Sequence, residues 1–521
     1  MKKITKVIAA ATALSAALGV CAYAAEDTIE DKVIAGYQAW FNTEGDGSPR
    51  NEWVHWGRPE VGHLTFDAYP DVRDYSVEDL KETYFAELGN GEKSKLFSSY
   101  RAGVIDKHFE MMHDYGIDGV AVQRFGSVTI NGVEERFKNS VDILKNVKAS
   151  AEKHNELFYV MYDISGLSEE NLVEDLKADW QQVILNDLDI TSSPSYAKDN
   201  GRPVVCLWGL GIREGTGEQY SELIDWFHDK GCYVIGGVSK SWRDQIAKDE
   251  AMEKAFCKLD MLSPWSVGSA KTDSDVDSDA SILAADKAYL DEKGIAYQPV
   301  MFPGFSWSNW KDNAVRNQIP RRAGDFMWRQ AYNIAKQDIH CGYIAMFDEY
   351  DEGTAILKLA EDSSMIPKDQ YFITASADGS YTSSDLYMRL AGYIPKVLRG
   401  EEEITEEMPL LLSEGPVYFR SGFEKYFDAQ PVDGNGELVK DELTYNGRYA
   451  LKLNRVGGGG EMLTKLSELD FSAEKINIGI SAYLAGGSAE LSVGLETADG
   501  DVLYSDLSFA NGKWTYNTLT D

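Results

Sequence analysis

The chain has 521 residues, enough for two or three domains with sizeable cores. Its 85 acidic residues outnumber 51 basic ones, giving a formal charge of −34, which argues against nucleic acid or an anionic membrane as partner because both need a basic surface. That balance suits a soluble protein acting on a neutral ligand; the 12 Trp and 28 Tyr are residues that stack on flat rings and also fill cores.

Residues 1–24 read as a signal peptide. Lys2, Lys3 and Lys6 give a positive start, Val7 to Val20 is small and apolar, and Ala22-Tyr23-Ala24 is a small-x-small site, so cleavage is expected after Ala24. A lipoprotein reading through Leu18-Gly19-Val20-Cys21 ranks second, since Val20 is bulky where such a site takes a small residue. The run is too short for an anchor, and no later apolar run is long enough to span a bilayer. The mature chain is expected to be secreted or associated with the cell surface. Cys206, Cys232, Cys257 and Cys341 are scattered, with no C-x-x-C pair, and read as free, mostly buried thiols.

Strand and helix signals then alternate. Strands are expected at 33–41, 119–125, 157–163, 203–208, 232–238, 259–265, 297–302 and 343–348, all apolar runs bounded by Gly or polar residues. Helices are expected at 103–115, around Phe137 to Ala151, and at 169–185, 218–229, 243–258, 279–292, 322–337 and 383–398. Eight such pairs predict an α/β fold of the (β/α)8 TIM-barrel kind over 25–400, with a long insertion from 42 to about 100. An open doubly wound sheet is the alternative, but no G-x-G-x-x-G follows any strand. Residues 401–412 are acidic and read as a linker. From 413 to 521, short alternating runs and Gly- and Asp-rich turns, including Asn446-Gly447, predict an all-β sandwich of jelly-roll type that resembles a carbohydrate-binding module and stops short of a full set of strands.

The most informative stretch is Gly342 to Gly353. Tyr343 to Phe347 is a buried strand, and Asp348, Glu349, Asp351 and Glu352 follow within five residues. Four like charges at a strand end are unfavourable unless something uses them. A barrel places its active site at the C-terminal ends of its strands. Those ends supply Trp40, Gln123 with Arg124, Tyr162 with Asp163, Trp208, Trp265, Trp307, and Asp348 with Tyr350; the first long loop adds His55 and Trp56. Aromatics with polar groups between them suit a sugar-binding cleft. Glu349 and Glu352, three apart, would face one side if the chain turned helically there. Two carboxyls of divergent pKa are what glycosidic cleavage needs. Asp163 is the runner-up acid. A mini-core of Trp56 with Trp53 is the structural alternative for that Trp.

Phe347-Asp348-Glu349-Tyr350-Asp351-Glu352-Gly353-Thr354 resembles the Asn-Glu-Trp-x-Glu-Gly-Thr signature of glycoside hydrolase family 99, the endo-α-mannosidases, and of the wider family 71/99-like barrels. Glu52 to Trp56, Tyr37 to Phe41 and Asp118 to Gly126 are similar to the first-loop, first-strand and second-strand segments of that group. The resemblance spans about residues 30–400. It implies a retaining hydrolase in which Glu349 is the base that helps the sugar's own 2-hydroxyl attack C1, and Glu352 the acid that protonates the leaving oxygen. Asp348, Tyr350 and Asp351 stand where that family has Asn, Trp and His, so the substrate does not follow from the resemblance. The rival from another class is a non-catalytic carbohydrate-binding protein on the same barrel, for which the second carboxylate has no use; a lyase or another hydrolase using Asp163 is a third reading.

Asp273 to Asp279 alternates acids like a calcium loop but lacks the Gly and the closing Glu of that motif, so a solvated loop is expected. The seven His residues form no H-x-H or H-E-x-x-H pattern. No metal or cofactor is expected, and the expected partner is a polysaccharide or glycan.

Overall fold

The computed structural model describes residues 28–413, apart from 59–62 and 130–132, together with short segments between 433 and 520. Its centre is a parallel sheet of β1 (Val33–Tyr37), β2 (Val120–Phe125), β3 (Phe158–Asp163), β4 (Arg202–Leu210), β5 (Tyr233–Ser239), β6 (Met261–Trp265), β7 (Ala296–Tyr297 and Val300–Met301) and β8 (Gly342–Ile344). Neighbours in sequence are neighbours in the sheet, and β8 returns to β1 in the register Val33↔Gly342. The two halves of β7 pair with different strands, Ala296↔Met261 on β6 and Val300↔Tyr343 on β8. Between them Gln298 N donates to Leu262 O at 3.0 Å, and Pro299 O accepts from Tyr343 N at 2.9 Å. Proline has no N–H for the ladder, so the strand changes partner at this residue and the sheet closes into the expected (β/α)8 barrel.

Helices α1 (Ala102–Tyr115), α2 (Glu134–His154), α3 (Leu172–Asp179, continuing through the wider turns of Trp180–Asp187), α4 (Gly217–Asp229), α5 (Glu250–Phe256, after the short Trp242–Ile246), α6 (Asp273–Lys293), α7 (Asp325–Ala335) and α8 (Leu386–Leu398) follow the strands. Apolar faces seat helices on the sheet; α1 buries Val104, Ile105, Phe109 and Met112 and stops at Gly116, whose φ of 71° suits a residue without Cβ, whereas α6 buries only Val276, Asp286 and Leu290. Strands β1 and β3 are buried at every residue, as covering on both faces requires.

Two expectations change here. The run Asp273 to Asp279 is not a loop but the first two turns of α6. Thr272 caps the helix, accepting from Asp275 N while Asp275 reaches back to the Thr272 N–H. The stretch 401–412 is not a free linker. Thr405 O accepts from Trp328 Nε1 at 3.1 Å, Leu411 O from Arg389 Nη1 at 2.8 Å and Leu412 O from Ser383 N at 2.9 Å, while Ile404, Met408, Leu410 and Leu412 pack on the core. The four cysteines are free and mostly buried, as expected: Cys206, Cys232 and Cys341 are buried and Cys257 is exposed.

The insertion 42–100 bridges to the chain after β8, through Ala68 to Ile373, Pro70 to Leu359 and Leu88 to Pro367. Among the tail's described residues, strands pair antiparallel: Gly436–Lys440 with Tyr449–Leu453, Asn477–Tyr483 with Trp514–Thr520, and Ser492–Glu496 with Val502–Asp506. The Asn446-Gly447 turn, the signal peptide and the packing of these pairs into a sandwich lie outside the described residues. Among the described residues no helix is long and apolar enough to cross a membrane.

Candidate active site

The chain does not turn helically after β8. It forms a stapled loop. Phe347 N donates to Gly36 O at 2.7 Å, Ile356 N to Met346 O at 2.9 Å and Leu357 N to Phe347 O at 2.8 Å, so 348–353 is pinched off between paired backbone. Buried Arg321 donates through Nη2 to Gly353 O at 2.8 Å and Ala355 O at 2.7 Å, fixing the far side. Gly353 has a φ of 64°, and a Cβ there would sit 3.2 Å from Ser306 N.

Within this loop the four carboxyls take different surroundings. Asp348 is fully buried and accepts from Gln38 N at 2.7 Å and Ala39 N at 2.8 Å, clamping the end of β1; burial pushes its carboxyl up to about 7. Glu349 is almost wholly buried, accepting from Gln38 Nε2 at 3.0 Å and Thr354 Oγ1 at 2.6 Å. Burial, then the charges of Glu352 and Asp351, raise it well above the usual carboxyl range. Asp351 accepts at Oδ2 from His55 Nδ1, 2.8 Å away. Glu352 is partly exposed, and no described residue hydrogen-bonds its carboxyl; burial and Asp351 push it up to about 7, opposed by Lys311. The charge of Glu352 thus bears on Glu349 in the loop that follows β8.

Around them, Trp40 stacks on His55 with ring centres 3.7 Å apart and on Phe125 at 5.2 Å, so its ring is already engaged by the protein. His55 keeps about a third of its side chain exposed. Gln123 is partly buried and its Oε1 has no partner. Asp163 shares the inward parity of Met161; it accepts from Ser165 N at 2.8 Å, and burial raises its carboxyl. Trp208 and Trp265 meet edge-to-face at 5.3 Å inside the barrel mouth. Trp307 lies on the loop after β7 beside Phe305 and Trp310, with Lys311 over both indoles.

Five of the proposed sugar contacts sit elsewhere or are closed off. Arg124 and Tyr162 have the opposite strand parity and point out of the barrel: Arg124 forms a two-pronged pair with Asp179 on α3 at 2.6 Å for each prong, and Tyr162 donates to the same Asp179 at 2.7 Å. Trp56 is fully buried, stacked on Phe41 at 3.9 Å with its Nε1 donating to Phe97 O; it belongs to the main core rather than a small one with Trp53. Tyr350 is fully buried too, its hydroxyl donating to Lys358 O at 3.1 Å. Asp348 positions β1 and is closed to solvent.

Several residues of the site were not singled out from sequence. Gln38 and Thr354 are the two donors to Glu349. Strand parity offers a signal for Gln38, two residues beyond inward-facing Gly36; Thr354 ends the signature-like stretch. Asp67, in the insertion, accepts from Ser306 Oγ, Ser308 N, Ser308 Oγ and Asn309 N at 2.6–2.8 Å and so holds the loop after β7 against the site. No local pattern marks such a long-range contact. Among the described residues no group of three or more His, Cys, Asp or Glu is placed to hold a metal ion.

Fold and site together describe a (β/α)8 barrel with a paired-carboxylate mouth. No family model matches this sequence, and no curated protein matches it either. Among solved structures the chain is similar to the GH99 endo-alpha-mannosidase from Bacteroides thetaiotaomicron. It has 14% identity and a TM-score of 0.53 over 72% of this chain and 99% of that one. A second structure of that enzyme, in complex with bis-tris-propane, is similar at 14% identity and a TM-score of 0.51 over the same shares. The likeness is one of fold, spanning the barrel.

Proposed function

We propose that the protein is a glycoside hydrolase of retaining, endo-α-mannosidase-like mechanism, with Glu349 and Glu352 as its catalytic pair. The observation that carries this is the pair itself: two glutamates of one stapled loop, after the last strand of the barrel, both raised by burial, with the charge of Glu352 acting on Glu349. In the empty site burial favours a proton on Glu349. A sugar 2-hydroxyl donating to Glu349 would join Gln38 and Thr354 as a third donor, favour the anion there and leave the proton on Glu352. Glu349 then takes the 2-hydroxyl proton as that oxygen closes on C1, and Glu352 gives its proton to the departing glycosidic oxygen. Water opens the resulting 1,2-anhydro sugar at C1, passing a proton to Glu352, the 2-oxygen recovers the proton held on Glu349, and the two inversions leave net retention.

His55, oriented by Asp351, and Gln123 are the polar contacts for the bound sugar, with Trp265 and Trp307 as its aromatic walls. The reading includes export through residues 1–24 and a tail that adds affinity for insoluble glycan. Because 404–412 pack on the barrel, the cut that tests the tail lies after Ser413. The test of function is a screen of α-mannans, arabinoxylans and β-glucans for released reducing ends, with Glu349→Gln and Glu352→Gln as controls. Release by wild type and its loss in both variants supports the hydrolase. Tight glycan binding with no release by any preparation would instead make the barrel a lectin.

A further inference from the structure

Below the carboxylates the barrel holds a small inner pocket. It is lined by Met161, Cys206, Trp208, Ser263, Trp265, Gln298, Tyr343 and Gly237, the inward positions of six successive strands. About 10 Å³ is open to the centre of a water-sized group. That is room for one hydroxyl and no more. Two buried donors lack a well-formed hydrogen bond here: Trp208 Nε1, on a residue 8% exposed, and Gln298 Nε2, on a residue 1% exposed, whose one polar neighbour is the Tyr159 hydroxyl. Unmet N–H groups at such depth are costly. The Ser263 hydroxyl on the same wall can accept or donate. Trp208 and Trp265 stand at the C-terminal ends of β4 and β6, so the pocket lies at the mouth, where a ligand enters, and not at the barrel floor.

We propose that this pocket is a specificity site that admits the terminal hydroxyl of one exocyclic hydroxymethyl group of the bound sugar, its methylene staying outside, with the oxygen accepting from Trp208 and Gln298 and the hydrogen going to Ser263. This rests on the glycan reading above and narrows it to hexopyranosides with a free 6-hydroxyl. A ring hydroxyl is too short to reach past the two indoles without the ring following it, whereas a hydroxymethyl group projects one carbon further. The space is of water size, and a hydroxyl there can make the bonds a water would.

The experiment uses the full chain and paired probes: methyl α-glycosides of D-mannose, D-glucose and D-galactose, each beside its 6-deoxy counterpart. Affinity is read by ligand-observed NMR, and turnover on the matching aryl or oligosaccharide substrates. Wild type is expected to prefer one 6-hydroxy member by about 10–100-fold, the worth of one or two buried hydrogen bonds. Trp208→Phe, which keeps a ring and removes the donor, should shrink that ratio to within a few-fold, and Gln298→Leu should do the same if Trp208→Phe fails to fold. Equal binding of every 6-hydroxy and 6-deoxy pair by wild type overturns the proposal, as does a variant that folds and keeps the full preference. Preference without turnover leaves the pocket standing and sinks the hydrolase; turnover without preference does the reverse. No binding by any of the six sinks both.

Discussion

Two acidic runs of similar density lie in this chain, Asp273 to Asp279 and Asp348 to Glu352, and the fold treats them in opposite ways. In the first, every acid is exposed or partnered. Asp273 pairs with Arg322 at 2.5 Å, Asp277 takes two prongs from Arg329 at 2.7 Å each, and Asp279 meets Lys240 at 2.6 Å. Asp275 accepts backbone N–H groups at the start of α6, which suits the positive end of the helix dipole. Backbone donors hold the Asp275 carboxyl below its ordinary range, and Arg329 does the same for Asp277. In the second run burial lifts Asp348, Glu349 and Glu352, and the described residues pair none of the three with a cation inside 4 Å. Acid count does not separate a helix start from a reactive loop. Burial without a counter-ion does.

The sharpest way to break this contrast is to remove charge from each run in turn. Glu349→Gln and Glu352→Gln should each lower kcat/KM on the best glycan by about 10²–10⁴-fold, the usual worth of a general acid or base. Asp275→Asn and Asp277→Asn should leave it within about two-fold, since surface acids away from a site seldom matter to it. A loss in the second pair comparable to the first would erase the distinction.

Next in size is a stability effect at the clamp. Asp348→Asn leaves one acceptor for two backbone donors, those of Gln38 and Ala39. It should cost about 1–3 kcal/mol in urea unfolding, the toll of one buried unmet group, and lower activity through the displaced Gln38. Wild-type stability in that variant would mean the β1 end does not need the clamp.

The two runs also set opposite pH dependences. Carboxyls raised on folding favour the protonated native state. Their contribution is full below the ordinary carboxyl range and fades as pH climbs through about 7, the value for Asp348 and Glu352. Asp275 and Asp277 are lowered, so their contribution is present above that range and fades as pH falls through their lowered values. Under the proposed mechanism, activity should decline about tenfold per pH unit well above 7 as Glu352 loses the proton assigned to it. A flat rate from pH 6 to 9 would remove Glu352 from the acid's role. The smallest effect belongs to the helix start: Thr272→Ala should cost about 1 kcal/mol in unfolding, with kcat/KM intact.

Much of this was legible in the chain. Each of the eight strands and eight helices overlaps its expected run, because a strand covered on both faces leaves a continuous apolar run such as Val33 to Tyr37, although β8 ends at Ile344 and not at Asp348. The start of α6 escaped because its first turns carry charge and no apolar period, while the signal that was there, Thr272 with Asp275, is a cap. Parity explains the mixed yield at the rim. Gln123 and Asp163 turn inward while their neighbours Arg124 and Tyr162 turn out to Asp179, and a strand end read without its register names both. Trp56 was out of reach for another reason: a Trp in a long loop packs according to contacts with Phe41 and Phe97 that only the folded chain brings together.

The Asp348 clamp on β1 joins residues 310 positions apart. During synthesis, Gln38 leaves the ribosome long before the carboxylate that will hold it, and Asp67 likewise waits for Ser306, 239 positions on. Contacts of such sequence separation form late, because the loop they close must be ordered first. The mouth therefore cannot be completed until β8 and the loop after it have been made. No nascent chain ending before β8 holds either glutamate or the clamp, so reactive chemistry and completion of the ring arrive together.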